Sequence, residues 1–487
     1  MRLPVLALPV VASVALVCAL PVFAHVGSPD VFYEGEAGPY RLLVTIRPPE
    51  VIPGVAQVEI RSASSDVGQV RIVPLRLTGP GAKLAPVPDV AKRSPDDPQF
   101  YTGALWLMNT GAWQVRVEAD GTRGQGTLAV PVPAASTRIL PMQKSLGALL
   151  IVLGLVLFLG QVAIIGAGSG EAQLEPGVEP DAAARRRSRI TMAVTAIVLA
   201  GIVWLGRTWW NSEAGDYGQR IFKPLQLKAA LEGNNADGNR LALTLQDPGW
   251  LTRRTDDLLP DHGHLMHLYV IRVPEMDLVW HLHPRQTGDA SYTQNLPSMP
   301  AGRYALFADI VHATGFPETP TTEIELPAIA GQPLEGDDAA GEVTPPVSAA
   351  GEPAVPLSAG YRMVWERPST PIHARQPYDF RFRIEDPSGR PAEGMELYMG
   401  MFGHAAFVRS DLTVFAHVHP SGSVPMAALN LTESNPHAAH MVPSSAPVPS
   451  VVSFPYGFPK SGDYRIIVQV KRSGRVETGI FDTRVED

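Results

Sequence analysis

The sequence predicts a mainly β protein with three immunoglobulin-like β-sandwich modules and two transmembrane helices. Short runs rich in β-branched and aromatic residues alternate with turns in a chain that has 44 glycines and 47 prolines, which is typical of sandwiches. Two long apolar runs interrupt this pattern. The length of 487 residues exceeds one ordinary domain and suggests about three.

Composition narrows the classes of function. Hydrophobic residues at 45% and charged residues at 18% are enough to build globular cores. The formal net charge of −8 argues against a nucleic-acid partner, since phosphate binding needs clustered lysine and arginine. Cys18 is the single cysteine. One thiol excludes disulfide scaffolds, cysteine zinc sites and iron–sulfur clusters within this chain.

Residues 1–24 are predicted to be a secretory signal peptide. Arg2 supplies a positive charge, residues 6–20 form an apolar core, and Ala24 ends a segment with a small-residue cleavage pattern. Cleavage there makes His25 the first residue of the mature chain and removes Cys18. A signal of this kind directs the following residues out of the cytoplasm.

Two apolar runs predict transmembrane helices at 146–167 and 190–210. The first has 22 residues, and at about 1.5 Å per residue it crosses a hydrocarbon core of about 30 Å. The second ends in two tryptophans, which suit a membrane interface. Residues 168–189 contain an arginine cluster, and an excess of arginine in a short loop predicts the cytoplasmic side. A buried helical hairpin of a soluble protein is the alternative interpretation.

The remaining segments divide into three β-rich modules and a linker. The modules are predicted at 25–144, 222–327 and 357–487. The signal peptide and the arginine cluster together predict that all three face the outside of a bacterial cytoplasmic membrane. Residues 328–356 are rich in alanine, glycine and proline, carry five acidic residues and have no lysine or arginine. We interpret them as a flexible linker.

The second and third modules repeat each other, and histidines mark the repeat. Of 13 histidines, twelve fall between residues 262 and 440. In each repeat a lone histidine precedes a His-x-His-Pro motif at nearly the same spacing. These histidines are His267, His281 and His283 in the first repeat, and His404, His417 and His419 in the second.

Strand geometry predicts that each set converges. Alternate residues of a strand share one face, so His281 and His283 point the same way. An antiparallel hairpin then brings His267 opposite them, at a cross-strand distance of roughly 5 Å between Cβ atoms. Neutral imidazoles without thiolates suit copper, with zinc possible. We therefore predict one three-histidine metal site in each repeat, with His312 as a fourth ligand in the first.

Other residues are secondary candidates. His262 and His264 lie in a turn near the first set. Nearby methionines could offer thioether sulfur to Cu(I), although methionine in a strand is more often part of a core. His25 is a separate candidate, because a terminal amine and the imidazole of the first residue together can chelate Cu(II). Its own module has no second histidine.

The first module carries a family resemblance. Residues Ala24-His-Val-Gly-Ser-Pro-Asp30 and Gly38-Pro-Tyr-Arg-Leu-Leu-Val-Thr-Ile46 resemble the YtkA-like/FixH-like envelope domains and, more distantly, the CopC-type copper-resistance sandwich. The module departs from the CopC pattern in lacking a second histidine. The His-x-His-Pro repeats resemble modules of bacterial secreted proteins associated with metal handling. The resemblance implies metal handling at the cell envelope and fixes no reaction.

These observations favour a membrane-anchored, extracytoplasmic metal-binding protein that is not an enzyme. It would act in copper resistance, in buffering, or in delivery to another envelope metalloprotein. One alternative is a non-catalytic structural or interaction module of the bacterial envelope, and a less favoured one is a copper-dependent redox enzyme. Because histidine binds metal as neutral imidazole, we expect affinity to fall as the pH drops through about 6.5.

Overall fold

The structure, a computed structural model, describes residues 29–175, 177–233, 238–343, 353–432 and 447–487. The described residues form three two-sheet β-sandwiches and a pair of long helices. The prediction of a mainly β fold with immunoglobulin-like sandwiches is confirmed. The predicted signal peptide and His25 lie outside the described residues.

The first sandwich packs a five-stranded sheet, in the order β1-β2-β3-β7-β6, on a four-stranded sheet, in the order β5-β4-β8-β9. Alternate residues of these strands face a shared apolar core, as the period of two requires. The strands are β1 (Val31–Ala37), β2 (Tyr40–Arg47), β3 (Gly54–Ser62), β4 (Val67–Arg76), β5 (Asp89–Val90), β6 (Lys92–Arg93), β7 (Phe100–Leu107), β8 (Gly111–Gly121) and β9 (Gly124–Ala134).

Two helices follow, α1 (Lys144–Glu171) and α2 (Ala182–Arg220). Both are long and apolar enough to cross a membrane, and at most 6% of the most apolar window of each is buried within the protein. This exposure argues against a buried hairpin of a soluble domain and indicates membrane association. The helices contact each other, and the hydroxyl of Ser188 donates to the carbonyl of Gly166 at 2.8 Å.

The boundaries of α2 differ from the prediction. The side chain of Asp181 accepts a hydrogen bond from the amide of Ala184 at 2.7 Å and caps the helix there. The arginine cluster, expected in a loop over 168–189, therefore lies in the first turns of α2, and the connection shrinks to 172–181. With 39 residues, α2 is about 58 Å long and extends well beyond a hydrocarbon core of about 30 Å.

The second sandwich packs the sheet β10-β11-β15-β14 on the sheet β17-β16-β12-β13-β19, in which β18 also pairs with β16. Its core is a separate apolar cluster between these two sheets. The strands are β10 (Gln226–Glu232), β11 (Arg240–Gln246), β12 (His267–Val273), β13 (Leu278–Leu282), β14 (Arg285–Gly288), β15 (Ser291–Asn295), β16 (Gly302–Val311), β17 (Pro317–Glu318), β18 (Thr321–Leu326) and β19 (Ala339–Glu342).

The segment expected to be a flexible linker contributes to this sandwich. Strand β19 pairs antiparallel with β13, with Ala339 opposite His281. Strand β13 would otherwise leave its backbone groups unpaired at a sheet edge, and β19 satisfies them. Residues 328–343 are thus part of the second sandwich. The rest of the predicted linker includes residues 344–352, which lie outside the described part of the chain.

The third sandwich packs the sheet β20-β21-β23-β27 on the sheet β22-β29-β28-β25-β26, in which β24 also pairs with β28. Its elements are β20 (Ala354–Pro356), β21 (Arg362–Glu366), β22 (Ile372–His373), β23 (Tyr378–Glu385), β24 (Met395–Glu396), β25 (His404–Arg409), β26 (Phe415–Val418), the short helix α3 (Met426–Leu429), β27 (Val451–Tyr456), β28 (Gly462–Arg472) and β29 (Arg475–Glu486).

The second and third sandwiches pack against each other through their histidine-bearing sheets. Apolar side chains of β12 and β16 and of β25, β28 and β29 form one buried cluster between the sandwiches. Phe307 stacks on Phe415 with ring centroids 4.6 Å apart. Arg465, 1% exposed, pairs with Asp482 of its own sandwich and donates to the carbonyl of Met276 in the other. The histidine-bearing sheet of each sandwich is therefore buried on both faces. One face packs on the core of its own sandwich, and the other packs on the neighbouring sandwich.

The first sandwich also contacts the other two. The amide of Glu34 donates to the carbonyl of Ser421 at 2.7 Å, and the amide of Phe222 donates to the carbonyl of Ser136 at 2.7 Å. Phe32 inserts into the core of the third sandwich. The first sandwich is therefore in direct contact with both of the others.

Candidate metal centre

Two hairpins bring the histidines of the repeats together. Strands β12 and β13 pair with Tyr269 opposite His281, which sets His267 across from His283. Strands β25 and β26 repeat the register, with Ala406 opposite His417. The paired histidines of each motif share a face, as predicted, and their ring centroids are 4.6 Å apart in the first repeat and 4.7 Å in the second.

Site 1 consists of His267, His281 and His283. One nitrogen of each ring lies within 4.8 Å of the others, and all three side chains are buried. His267 Nδ1 and His281 Nε2 are 3.2 Å apart. His283 Nε2 is buried with no hydrogen-bond partner among the described residues. Site 1 is the set that the sequence predicted for the first repeat.

The outward nitrogen of each ring in site 1 donates a hydrogen bond. His267 Nε2 donates to the carbonyl of Asp261 at 3.1 Å, and His281 Nδ1 donates to Oε1 of Gln469 at 2.8 Å. His283 Nδ1 donates to the carboxylate of Asp338 at 2.9 Å. A neutral imidazole has one proton, so these bonds leave the three inward nitrogens with lone pairs. Such outer partners orient histidines in metal sites.

A second group, site 2, differs from the predicted set for the second repeat. It consists of His262, His404 and His419, whose ligand nitrogens also lie within 4.8 Å of one another. His262 Nε2 and His419 Nε2 are 3.2 Å apart. His417, expected as a ligand, instead holds His404 from behind, with His417 Nε2 3.1 Å from His404 Nδ1. His262, from the first repeat, is the third member of site 2 in place of His417.

Reciprocal hydrogen bonds between the second and third sandwiches link the two sites. His281 of the second sandwich donates to Gln469 of the third, and His417 of the third donates to Asp309 of the second at 3.0 Å. Asp309 lies beside His267 in register, and Gln469 lies beside His404. The ring centroids of His267 and His417 are 5.1 Å apart. The expected pair of independent sites is therefore one continuous cluster at the interface between the sandwiches.

Burial keeps the clustered imidazoles neutral. Desolvation, followed by the charge of neighbouring His417, lowers the pKa of His267 to about 3. Desolvation also lowers the pKa of His417 to about 4, and the pKa values of His281, His283 and His404 fall well below 6.5. Within the folded cluster, protons therefore compete for the ring nitrogens only well below the expected pH of 6.5.

Buried carboxylates surround the histidines. Burial raises the pKa of Asp309 to about 6, and burial likewise raises the pKa of Asp338 to about 6. Asp261 is fully buried, and its side chain accepts a hydrogen bond from the amide of Ala427 at 2.7 Å. Anionic groups beside neutral imidazoles favour a bound cation, because the cation offsets the cost of burying negative charge.

A polar cleft connects site 1 with solvent. The cleft has a volume of about 790 Å³, and its lining includes His264, His283, Asp337 and Asp338. His264 Nε2 lies 3.2 Å from the carboxylate of Asp337. Sequence reasoning assigned both aspartates to a linker and missed them. Their signal was the acidic run Glu335-Gly-Asp-Asp338, which has no basic residue beside it.

His312 does not join site 1. Its Nδ1 lies 2.9 Å from the carboxylate of Asp257, and its Nε2 lies 3.4 Å from that of Glu318, which also pairs with Arg253 at 2.7 Å. Burial by itself lowers the pKa of His312, but the hydrogen bonds of Glu318 and Asp257 raise it above its ordinary value. A histidine held between two carboxylates favours the protonated form, which cannot bind metal.

The secondary candidates separate clearly. His262 belongs to site 2, although its turn gave no periodic signal. Its backbone has a φ of 51°, so it adopts a left-handed conformation in the turn before β12. Met266 is fully buried in the core of the second sandwich, which agrees with the more common role of methionine. His25 stays a prediction, because it lies outside the described residues.

Comparison with known proteins identifies one family. Residues 357–487 match the family model described as a domain of unknown function, DUF8832. That match covers the third sandwich, and its description names no activity. The resemblance of the first module to YtkA-like, FixH-like and CopC-type domains stays a prediction. No curated protein sequence matches the chain.

Solved structures show only distant likeness. Dimeric latent PorU from Porphyromonas gingivalis has 8% identity and a TM-score of 0.15, over 94% of this chain and 34% of that one. Trypsin-activated alpha-2-macroglobulin from Escherichia coli has 8% identity and a TM-score of 0.17, over 95% and 24%. An ICAM-5 D1–D4 ectodomain fragment has 8% identity and a TM-score of 0.16, over 91% and 76%. The chain thus spans about a third of the first protein and about a quarter of the second, and such TM-scores carry no functional argument.

Proposed function

We propose that this protein is a membrane-anchored, extracytoplasmic metal-binding protein whose ion is copper, bound at site 1. The observation that carries the proposal is the convergence of three lone pairs. His267 Nδ1 and His281 Nε2 face each other at 3.2 Å, although the proton of each ring points outward to a carbonyl or amide oxygen. Two facing lone pairs repel, whereas a cation between them turns both into ligands.

Copper fits this donor set best. The site offers neutral imidazoles and no thiolate, and among divalent first-row ions the affinity of nitrogen ligands is highest for Cu(II). A set of three histidines also suits Zn(II), which is the alternative ion. The outer hydrogen bonds that the rings donate to oxygens of Asp261, Gln469 and Asp338 fix the ring orientations before the ion arrives. Such fixed rings lose little conformational freedom on binding.

The two apolar helices and the predicted signal peptide support the location of this function. The arginine cluster at the start of α2 favours the cytoplasmic side for the connection 172–181. All three sandwiches would then face the periplasm of a bacterial cytoplasmic membrane. There the protein would serve copper resistance, buffering, or delivery to another envelope metalloprotein.

A non-catalytic structural module is the competing interpretation. In that case the histidines would form only internal hydrogen bonds. This interpretation does not explain His283 Nε2, which is buried in site 1 with no hydrogen-bond partner among the described residues. An orphaned buried nitrogen costs about 1–3 kcal/mol, and metal binding removes that cost.

Metal titration of the full chain tests the proposal. The detergent-solubilised protein is stripped of metal and titrated with Cu(I), Cu(II) and Zn(II) against chelators of known affinity. The double variant His281→Ala/His283→Ala should lose at least 100-fold in affinity at this site, because two of three ligands are gone. His373→Ala is the matched control, since His373 bonds a backbone oxygen of Asp487 outside the cluster. Equal affinity of the wild type and the double variant, or no binding by either, would refute the proposal.

A further inference from the structure

Site 2 draws its ligands from both repeats. His262 comes from the turn before β12 in the second sandwich, whereas His404 begins β25 and His419 follows β26 in the third. The ring centroid of His262 lies 4.8 Å from the centroid of His404 and 4.8 Å from that of His419. A repeat that simply duplicated site 1 would use His417 in place of His262.

Hydrogen bonds set the lone pairs of site 2. His419 Nδ1 donates to the carbonyl of Val424 at 3.3 Å, which leaves Nε2 as a lone-pair nitrogen. That Nε2 faces His262 Nε2 at 3.2 Å. His262 also forms a hydrogen bond with the backbone of Met399. His419 therefore presents a lone-pair nitrogen to the site, with His262 Nε2 facing it.

His404 supplies the independent observation. His417 Nδ1 donates to Asp309 at 3.0 Å, so His417 Nε2 is an acceptor, and it accepts a hydrogen bond from His404 Nδ1–H at 3.1 Å. His404 Nε2 is then a lone-pair nitrogen. It is buried with no hydrogen-bond partner among the described residues, and the His404 side chain is 0% exposed. A ligand in site 2 would satisfy this nitrogen.

We propose that site 2 binds a second metal ion of the same imidazole-preferring class, with His262, His404 and His419 as ligands and His417–Asp309 as the positioning pair behind His404. The inference rests on the proposed function for the choice of copper as probe. The two sites adjoin, since the ring centroids of His267 and His404 are 6.5 Å apart. The protein thus holds a pair of neighbouring ions.

An ion at site 2 joins two sandwiches. One ligand belongs to the second sandwich and two belong to the third, so occupancy of site 2 stabilises their contact by mass action. Asp261 lies next to this contact, with a carboxylate oxygen 3.9 Å from His262 Nε2. A cation here also compensates the buried carboxylates of Asp261 and Asp309.

Stoichiometry tests this inference. We expect the metal-stripped full chain in detergent to bind two copper ions per chain. His262→Asn should bind one and keep site 1. Asparagine tolerates the positive φ of that turn, so the substitution removes the imidazole with little backbone strain. His419→Ala, in the other repeat, should lose the same ion, and His373→Ala should keep both.

Electron paramagnetic resonance gives a second measurement. Two Cu(II) ions in adjoining sites should show dipolar coupling and a half-field transition, and His262→Asn should abolish both. One ion per chain, unaffected by His262→Asn but lost in His281→Ala/His283→Ala, would overturn this inference and leave the proposed function standing. No bound ion in any variant would overturn both. Loss of both ions in His262→Asn together with normal folding would also overturn the inference of two separate sites.

Discussion

The buried histidine cluster should make the metal-free protein sensitive to mild acid. Seven clustered histidines have a pKa below the ordinary 6.5 in the folded state: His262, His267, His281, His283, His404, His417 and His419. When the cluster opens, each ring returns to about 6.5 and takes up a proton. The opened state then binds more protons, so the stability of the closed cluster falls as the pH drops below 6.5.

The size of the effect follows from linkage. At pH 5.5 a histidine with an open-state pKa of 6.5 that stays neutral when closed destabilises the closed state by about 1.4 kcal/mol, so seven destabilise it by roughly 10 kcal/mol. Asp309 and Asp338 act oppositely, because burial raises the pKa of each to about 6 and the closed state takes up their protons. Together they offset about 2 kcal/mol at pH 5.5. Asp261, whose pKa burial also raises, opposes the loss further, so about 8 kcal/mol is an upper limit, and even a part of it is a large fraction of the stability of a typical domain.

Hydrogen–deuterium exchange measures this opening. In the metal-free full chain, amides of β12, β13, β25 and β26 should lose protection between pH 6.5 and 5.5, after correction for intrinsic exchange rates. Strands β2 and β3 of the first sandwich contain no histidine and serve as the internal control. Saturating copper should restore protection at pH 5.5. Unchanged protection of the cluster strands at pH 5.5 in the metal-free protein would refute this reasoning.

Further predictions concern the contacts between sandwiches and the membrane topology. In thermal unfolding, Gly422→Ala should destabilise the full chain more than the control Gly474→Ala. Both glycines have positive φ, but only at Gly422 would a Cβ meet a carbonyl oxygen of the first sandwich, 2.0 Å away. Equal shifts in melting temperature would contradict that contact. Arg465→Leu should cost about 3–5 kcal/mol because it breaks the buried ion pair with Asp482 and removes the hydrogen bond to the carbonyl of Met276, and chemical denaturation with no change in midpoint would contradict this. In bacterial spheroplasts, a membrane-impermeant maleimide should label Thr122→Cys and spare Gln173→Cys, both exposed positions; the reverse pattern would invert the proposed topology.

Much of the candidate site was readable from local patterns. The period of two along a strand placed His281 and His283 on one face, and the short connection before them required an antiparallel hairpin with His267. These are interactions within about 20 residues, and the sequence order constrains them strongly. The apolar character of α1 and α2 likewise predicted membrane association from composition alone.

The partners of the rings were beyond such reasoning. Asp338 reaches His283 from a segment that looks like a linker, because its composition does not show that β19 will pair with an exposed edge. His312 sits at the end of a histidine-bearing sheet, yet Asp257 and Glu318 hold it apart from site 1. One sequence pattern did indicate that the histidine-bearing sheet would be covered on both faces. Strand β12, His-Leu-Tyr-Val-Ile-Arg-Val, has little polar alternation, which is typical of a strand buried on both faces.

The sequence by itself determined the sandwiches, the membrane helices and the face of each strand that carries histidine, because these depend on periodicity and composition along one short stretch of chain. Only the tertiary structure decided that the two repeats pack sheet against sheet, so that His262 meets His419 and Gln469 orients His281. That packing depends on complementary shape and on buried pairs such as Arg465 with the carbonyl of Met276, between residues almost two hundred positions apart. Local patterns cannot specify this packing. The free energy that stabilises it comes from burying two surfaces against each other, and each surface is built from several distant segments of the sequence.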